Sequence, residues 1–290
     1  MANFDYIIIG AGLAGDSAVE GIRQVDRKGT IALFSEEKCL PYRRPDLSKA
    51  LWKGKPLDEV WRKTVREKVE LFLGRKVLMI DVQKRTVTDD KNQPHGYDKL
   101  LIATGGVPRR LDFESSNVIY YRTLDDYRRL RRLADERQRF GIIGSGFIAA
   151  ELAAALVQNG RQVVMIFPGQ FIGDHMFPQD LARFVTEYYR QQGVVIRAGE
   201  KVFDVQPRGE ELAIRSSAGV DILVDGVVVG IGIRPNTELA VQAWLKTDDG
   251  IVVDELLRTS SPAIFAAGDV AEFANPALRQ RLRVEHEDNA

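Results

Sequence analysis

Short apolar runs that break into glycine recur along the chain. Residues 6–9 form one such run. It gives way to Gly10-Ala11-Gly12-Leu13-Ala14-Gly15, then to a segment with helical spacing of apolar positions, and then to a second β-type run at 30–34. The predicted order is strand, glycine turn, helix, strand. The same order returns at 140–143, Gly144-Ser145-Gly146-Phe147-Ile148-Ala149, a helix through Val157, and 163–167. The chain therefore carries an internal duplication.

Between the two copies, 77–87 and 100–103 read as strands. Residues 124–139 read as a charged helix whose apolar positions are Leu124, Tyr127, Leu130 and Leu133. Strand patterns follow at 194–196, 202–205, 212–215 and 227–229, and a last apolar strand at 264–267 precedes Gly268-Asp269. The pattern predicts an α/β protein with two Rossmann-like domains, the second inserted in the first. The boundaries are expected at 1–112 with 250–290 for one domain, and 113–249 for the other.

Composition narrows the picture. A length of 290 residues suits two domains, each able to bury its own core. Lys+Arg and Asp+Glu both total 41, so no global field favours nucleic acid or an acidic membrane. The basic run Arg128-Arg129-Leu130-Arg131-Arg132 is flanked by Asp125, Asp126, Asp135 and Glu136 and reads as a solvated helix face. Cys39 is the only cysteine, which excludes an intramolecular disulfide, a redox pair or a multi-cysteine metal site; it reads as a structural thiol. No apolar stretch approaches the ~18 residues of a membrane span. The N-terminus enters a strand at once, with no targeting pattern, so a cytoplasmic protein is expected.

The glycine turns carry the chemistry. Gly10 permits the tight turn, Gly12 lets backbone approach a pyrophosphate, and Gly15 lets helix pack against strand. The helix N-terminus offers free N–H groups to phosphates. An acid is then needed at the end of the second strand for the adenosine ribose, and Glu36 meets that need, with Glu37 as its neighbour. Gly144, Gly146 and Ala149 repeat the fingerprint in its alanine variant, which implies two dinucleotides. The second copy ends Ile166-Phe167-Pro168-Gly169, with neither an acid for a 2′-hydroxyl nor an arginine for a 2′-phosphate. The choice between those two nucleotides stays open.

Four stretches give the chain a family resemblance: 40–49 (Leu-Pro-Tyr-Arg-Arg-Pro-Asp-Leu-Ser-Lys), 97–108 with its Ala103-Thr104-Gly105 turn, 264–270, and Arg283-Val284-Glu285-His286. On these the chain resembles the FAD-dependent pyridine-nucleotide oxidoreductases, within them the apoptosis-inducing-factor and ferredoxin/rubredoxin-reductase branch. The resemblance implies FAD bound by Gly10, Gly12, Leu13, Ala14 and Gly15, by Glu36, by the backbone at Val77, and by Ala103, Thr104 and Gly105. It places Arg44 and Arg122 on FAD, Asp269 on the ribityl chain or pyrophosphate, and Glu285 and His286 beside the isoalloxazine. Lys49 would sit near flavin N5, where a cation stabilises the reduced ring, paired with Glu151 across the domain boundary; these two are the expected catalytic residues. NADH or NADPH, with NADH preferred, would contact Gly144, Gly146, Phe147, Ile148, Glu151 and Gly232.

The implied activity is hydride transfer from NAD(P)H to FAD and electron transfer onward to a ferredoxin- or rubredoxin-like protein, a quinone or oxygen. The rival is an NADH-sensing flavoprotein that acts through a charge-transfer complex and redox-dependent partner binding. A homodimer is compatible with either. This chain departs from the branch at Asp46, where proline is usual, and near Gly169 and His175, where a polar nucleotide ligand is usual. The resemblance also ends before the C-terminal αβ domain with which such proteins continue.

Overall fold

A computed structural model of the chain describes residues 1–64, 68–113 and 115–285. β1 (Ala2–Ile9) runs into α1 (Leu13–Val25), and the chain returns as β2 (Ile31–Ser35), every residue of which is buried. A strand apolar on both faces belongs in a parallel sheet covered on both sides. β3 (Glu70–Leu73) extends that sheet beyond β2. β4 (Val77–Asp81) and β5 (Thr86–Asp89) form an antiparallel hairpin, and β5 pairs with the start of β6 (Pro94–Ile102), which lies parallel to β1. The single strand expected over 77–87 is thus two. The Asp81 carboxylate accepts from the Lys84 N–H at 2.9 Å, and Arg85 takes φ +51°, which closes a tight turn in the middle of the run.

β7 (Gly106–Pro108) leads into the second Rossmann-like unit. It contains β8 (Val118–Tyr120) and α2 (Leu124–Glu136), the helix held at its start by a capping box between Thr123 and Asp126. The duplicated core follows as β9 (Arg139–Ile143), α3 (Phe147–Gln158), β10 (Gln162–Phe167), α4 (Gln179–Gln191) and β11 (Val195–Ala198). An antiparallel meander of β12 (Val202–Arg208), β13 (Glu211–Ser216) and β14 (Ile222–Val224) leads to β15 (Gly226–Val229). The chain returns through β16 (Ile233–Pro235), α5 (Glu238–Gln242) and β17 (Ile251–Val252) to β18 (Ile264–Ala266), then β19 (Ala271–Asn275) and β20 (Gln280–Leu282).

The parallel strands of the second unit lie in the order β11-β10-β9-β15-β8. Those of the first lie as β3-β2-β1-β6, with β18 on the far edge of β6. The same four-strand order is therefore built twice, each time with an antiparallel insertion just before the fourth strand; the place beyond the fourth is taken in the first unit by β18, which follows it in the chain, and in the second by β8, which precedes β9.

By packing, the chain divides into Met1–Arg43 with Asp58–Val107 and Pro235–Ala290, and Arg44–Leu57 with Pro108–Arg234. Two segments fall differently from the expected boundaries. Residues 44–57 group with the second unit, where Asn159 Nδ2 donates to Trp52 O at 3.1 Å and the Trp52 ring meets Tyr127 edge-on. Residues 235–249 group with the first, because Ala240, Ala243 and Leu245 are buried in its core.

One buried polar network fixes the hairpin to the sheet. The fully buried Asp89 carboxylate accepts from the Arg75 guanidinium, meets His95 Nε2 at 2.8 Å, and accepts from the Lys91 and Gln93 amides. Burial alone would raise its pKa, but the His95 bond, the two amides and Arg75 outweigh burial and hold it at about 2 against an ordinary 3.8. A depressed carboxylate contributes stability that is present above its unfolded value and lost as pH falls through the folded one. Asp89→Asn is expected to cost about 3 kcal/mol at neutral pH. In denaturant titrations the wild type should also lose on the order of 2 kcal/mol between about pH 4 and pH 2 that the variant does not lose.

Candidate dinucleotide sites

In the first unit, Gly10 sits at φ +110°, and its N–H donates to Phe34 O at 2.9 Å. A Cβ there would lie 2.2 Å from the Ala103 carbonyl oxygen, and one on Gly15 would lie 1.9 Å from the Gly10 oxygen. Both glycines are thus required by packing. Gly12 is different: it is the N-cap of α1 in extended conformation, no side chain caps the helix, and a Cβ there would meet nothing within 4 Å. The opening amides of α1, from Leu13 through Gly15, have no intrahelical acceptor and carry the positive end of the helix dipole. Open space in front of an uncapped helix start fits a pyrophosphate, and this is the observation on which the fit of a dinucleotide rests.

The rest of the expected first-unit set surrounds or extends this turn. Gly268 takes φ +74°, and a Cβ on it would lie 2.8 Å from Ala14 Cβ, so the turn carrying Asp269 is pressed against the start of α1. Ala103-Thr104-Gly105 is clasped by Asn236: Thr104 Oγ1 donates to Asn236 O, Asn236 Nδ2 to Thr104 O, and Asn236 N to Gly105 O, all at 2.9 Å. Glu36 follows β2 directly and is exposed, with Lys76 Nζ 3.2 Å away, and Val77 is the next residue after that lysine. Glu37 is already used, accepting from Tyr42 OH at 2.8 Å, which favours Glu36 as the acid open to a ligand. Cys39, the lone thiol, is half-buried with its Sγ 4.0 Å from Glu37. Glu285 accepts from Arg283 Nη1 at 2.7 Å. His286 lies outside the described residues.

In the second unit, Gly144 sits at φ +123° with its N–H on Ile166 O at 3.0 Å; a Cβ on it would lie 2.2 Å from Gly230 O. Gly146 repeats Gly12: extended, an N-cap without a side-chain cap, and open to at least 4 Å. Phe147 and Ile148 are exposed at the start of α3, where Phe147 meets Phe177 edge-on at 6.0 Å. Gly232, at φ +92°, accepts from the Arg109 N–H at 2.9 Å.

Arg44, Lys49 and Arg122 belong to the second unit as well. Arg44 Nη1 donates to Arg122 O at 2.8 Å, and Lys49 Nζ lies 3.1 Å from Glu151 Oε1. The expected Lys49–Glu151 pair is present, but inside the second unit and not across a boundary, because 44–57 packs there. Sequence reading missed Ser48, whose Oγ donates to the other oxygen of Glu151 at 2.6 Å. It also missed Asp16, fully buried in the first turn of α1, where Arg62 and Thr64 donate to it. An acid inside an otherwise apolar helix start was the available signal. Asp46, where proline is usual, pairs with Lys55 at 2.8 Å.

The chain is similar over nearly its whole length to known proteins. The family model for pyridine nucleotide-disulphide oxidoreductases matches residues 4–289. Mitochondrial apoptosis-inducing factor 1 of Dictyostelium discoideum is 32% identical, over 99% of this chain and 60% of its own length. Putidaredoxin reductase of Pseudomonas putida is 32% identical, over 100% of this chain and 72% of its own. Among solved structures, the covalent putidaredoxin reductase–putidaredoxin complex superposes with a TM-score of 0.94 at 31% identity, over 100% of this chain and 73% of that one. Among the described residues no helix is long and apolar enough to cross a membrane, and no group of His, Cys, Asp or Glu is arranged to hold a metal ion.

The two kinds of glycine separate by substitution. Gly10→Ala should lower the unfolding free energy by about 3 kcal/mol through strain and overpacking, whereas Gly12→Ala should stay within about 1 kcal/mol of wild type; chemical denaturation measures both.

Proposed function

The chain belongs to the pyridine nucleotide-disulphide oxidoreductases, and from that membership we propose an FAD-dependent NAD(P)H oxidoreductase that passes electrons to a small redox protein. FAD is assigned to the first unit and the nicotinamide nucleotide, with NADH preferred, to the second. The observation that carries this reading is the doubled glycine cradle: two uncapped helix starts, each behind an open extended glycine, Gly12 and Gly146. A single cradle would suit one dinucleotide. Two suit an exchange between two, and the names of the putidaredoxin-linked relatives support a protein acceptor.

When bound, FAD takes two electrons from a reduced nicotinamide and can release them to a one-electron acceptor. The protein's part is to bind and orient. The amides opening α1 and α3 hold the two pyrophosphates, and Glu36 accepts from the adenosine ribose of FAD. Asp269 sits in a turn pressed on α1, suited to the polar chain between ring and phosphate. Lys49 supplies a cation for the redox ring, and Glu151, gripping the ammonium while Ser48 holds its other oxygen, fixes where that charge sits.

Anaerobic stopped-flow mixing of the FAD-reconstituted protein with NADH should bleach the flavin absorbance, and NADPH should do so more slowly. A bound flavin that neither nucleotide bleaches would refute the proposal. Lys49 is 56% exposed, so its ion pair contributes little to the fold. Lys49→Ala should therefore change unfolding free energy by less than about 1 kcal/mol while slowing the bleaching about tenfold. An unchanged rate would remove Lys49 from the redox ring.

A further inference from the structure

The second cradle lacks the acid that its fingerprint calls for, and the fold shows where a replacement comes from. The internal duplication supplies the frame. Gly10 N–H donates to Phe34 O and Gly144 N–H to Ile166 O, with Ile9 paired to Phe34 and Ile143 to Ile166 in register. Phe34 and Ile166 are therefore equivalent, and the positions matching Glu36 and Glu37 are Pro168 and Gly169. Neither carries a polar side chain.

The space beside Gly169 is nonetheless occupied by a carboxylate. A Cβ built on Gly169 would lie 2.3 Å from Asp174 Oδ2 and 2.9 Å from Oδ1, so Asp174 stands where a side chain at 169 would begin. Its loop is tied to the fingerprint turn itself, because Gly173 N–H donates to Ser145 O at 2.9 Å. The strand end beneath is fixed by Gly199 N–H on Gly169 O at 2.8 Å. The carboxylate is held by one oxygen: Oδ2 accepts from the Gln170 amide at 2.9 Å and reaches the Phe171 amide at 3.5 Å. Oδ1 has His175 Nδ1 at 3.7 Å, beyond hydrogen-bond distance, and the side chain is 29% exposed.

We propose that Asp174 is the specificity-determining residue of the second site: its Oδ1 accepts from the 2′-hydroxyl of the adenosine ribose and repels a 2′-phosphate, which makes the chain selective for NADH. The inference rests on the reading of the second unit as the nicotinamide-nucleotide site. A carboxylate that accepts from a ribose hydroxyl excludes a dianionic phosphate at the same place. Gly169 is part of the device, since any side chain there would displace Asp174. The competing cation is Arg183, whose guanidinium lies 5.6 Å from the centre of the Phe171 ring and would favour the 2′-phosphate if it governed the site.

The test is equilibrium calorimetry on the full chain with three probes: NAD+, NADP+, and NAD+ lacking the 2′-hydroxyl of the adenosine ribose. The wild type should bind NAD+ roughly tenfold or more tightly than either of the others, the gap expected of a hydrogen bond to a charged group. Asp174→Asn should compress both ratios toward unity while still binding all three probes. Ratios unchanged in the variant would overturn the assignment and leave the nucleotide site standing. So would a wild type that prefers NADP+ or ignores the missing hydroxyl, a comparison that needs no variant to fold. A wild type that binds none of the three would overturn the reading of the second unit as well.

Discussion

The structure depends on one close approach, made twice: a carbonyl oxygen of the fourth strand's end sits where the Cβ of the first strand's terminal glycine would be. At Gly10 that oxygen belongs to Ala103, and at Gly144 to Gly230, with the same 2.2 Å in each copy. No residue with a side chain can occupy either position, and the left-handed φ of both glycines turns the chain at once into a helix. The helix start is thereby aimed at the carboxyl end of the sheet, uncapped, behind a second glycine that no neighbour crowds. Packing thus creates the open, uncapped helix start in both copies.

The alanine in the second fingerprint follows from the same constraint. Ala103 and Gly230 are equivalent by their contact with the first glycine, as Gly15 and Ala149 are by position. One copy therefore has glycine on the helix and alanine on the strand end, and the other has the reverse. A Cβ on Gly230 would fall 3.2 Å from the Ala149 methyl and 3.1 Å from its backbone nitrogen, so the helix methyl has taken the room that the strand gave up. In the first copy a Cβ on Gly15 would instead meet the Gly10 carbonyl oxygen, 1.9 Å away, so the two copies exclude the extra methyl by different contacts while both keep the cradle.

What was legible in the sequence was what this constraint writes into it: fully apolar strands, glycines at fixed spacing, and their repetition. The hairpin within 77–87 was not, because a continuous apolar and charged run conceals a turn closed by Asp81. α4 was legible as a helix, since Leu181, Phe184, Val185, Tyr188 and Tyr189 recur at helical spacing, but its buried face was not, because it buries the small Ala182 and Thr186 and exposes Leu181, Phe184 and Tyr188. The placement of 44–57 was not, since the contacts of Trp52 and Leu47 with Asn159 and Tyr121 join residues far apart in the chain. At the candidate sites, the glycines and Glu36 were read from spacing. The Lys49–Glu151 pair rested on resemblance, and Ser48 could be recognised only from the folded chain.

That division has a physical reason which bears on specificity. A packing requirement is tied to its position, because only backbone geometry can meet it, so it leaves a spaced motif. A hydrogen-bond acceptor is tied only to a place in space. Any loop anchored nearby can deliver it, and the bond from Gly173 to Ser145 is such an anchor. In the first unit the acid follows the strand directly, at Glu36. In the second, the loop hung from the fingerprint brings a carboxylate back to Gly169 from five residues along the chain. Motif spacing therefore reports that a dinucleotide can be held, while the choice among dinucleotides is set by groups whose sequence position is free to move.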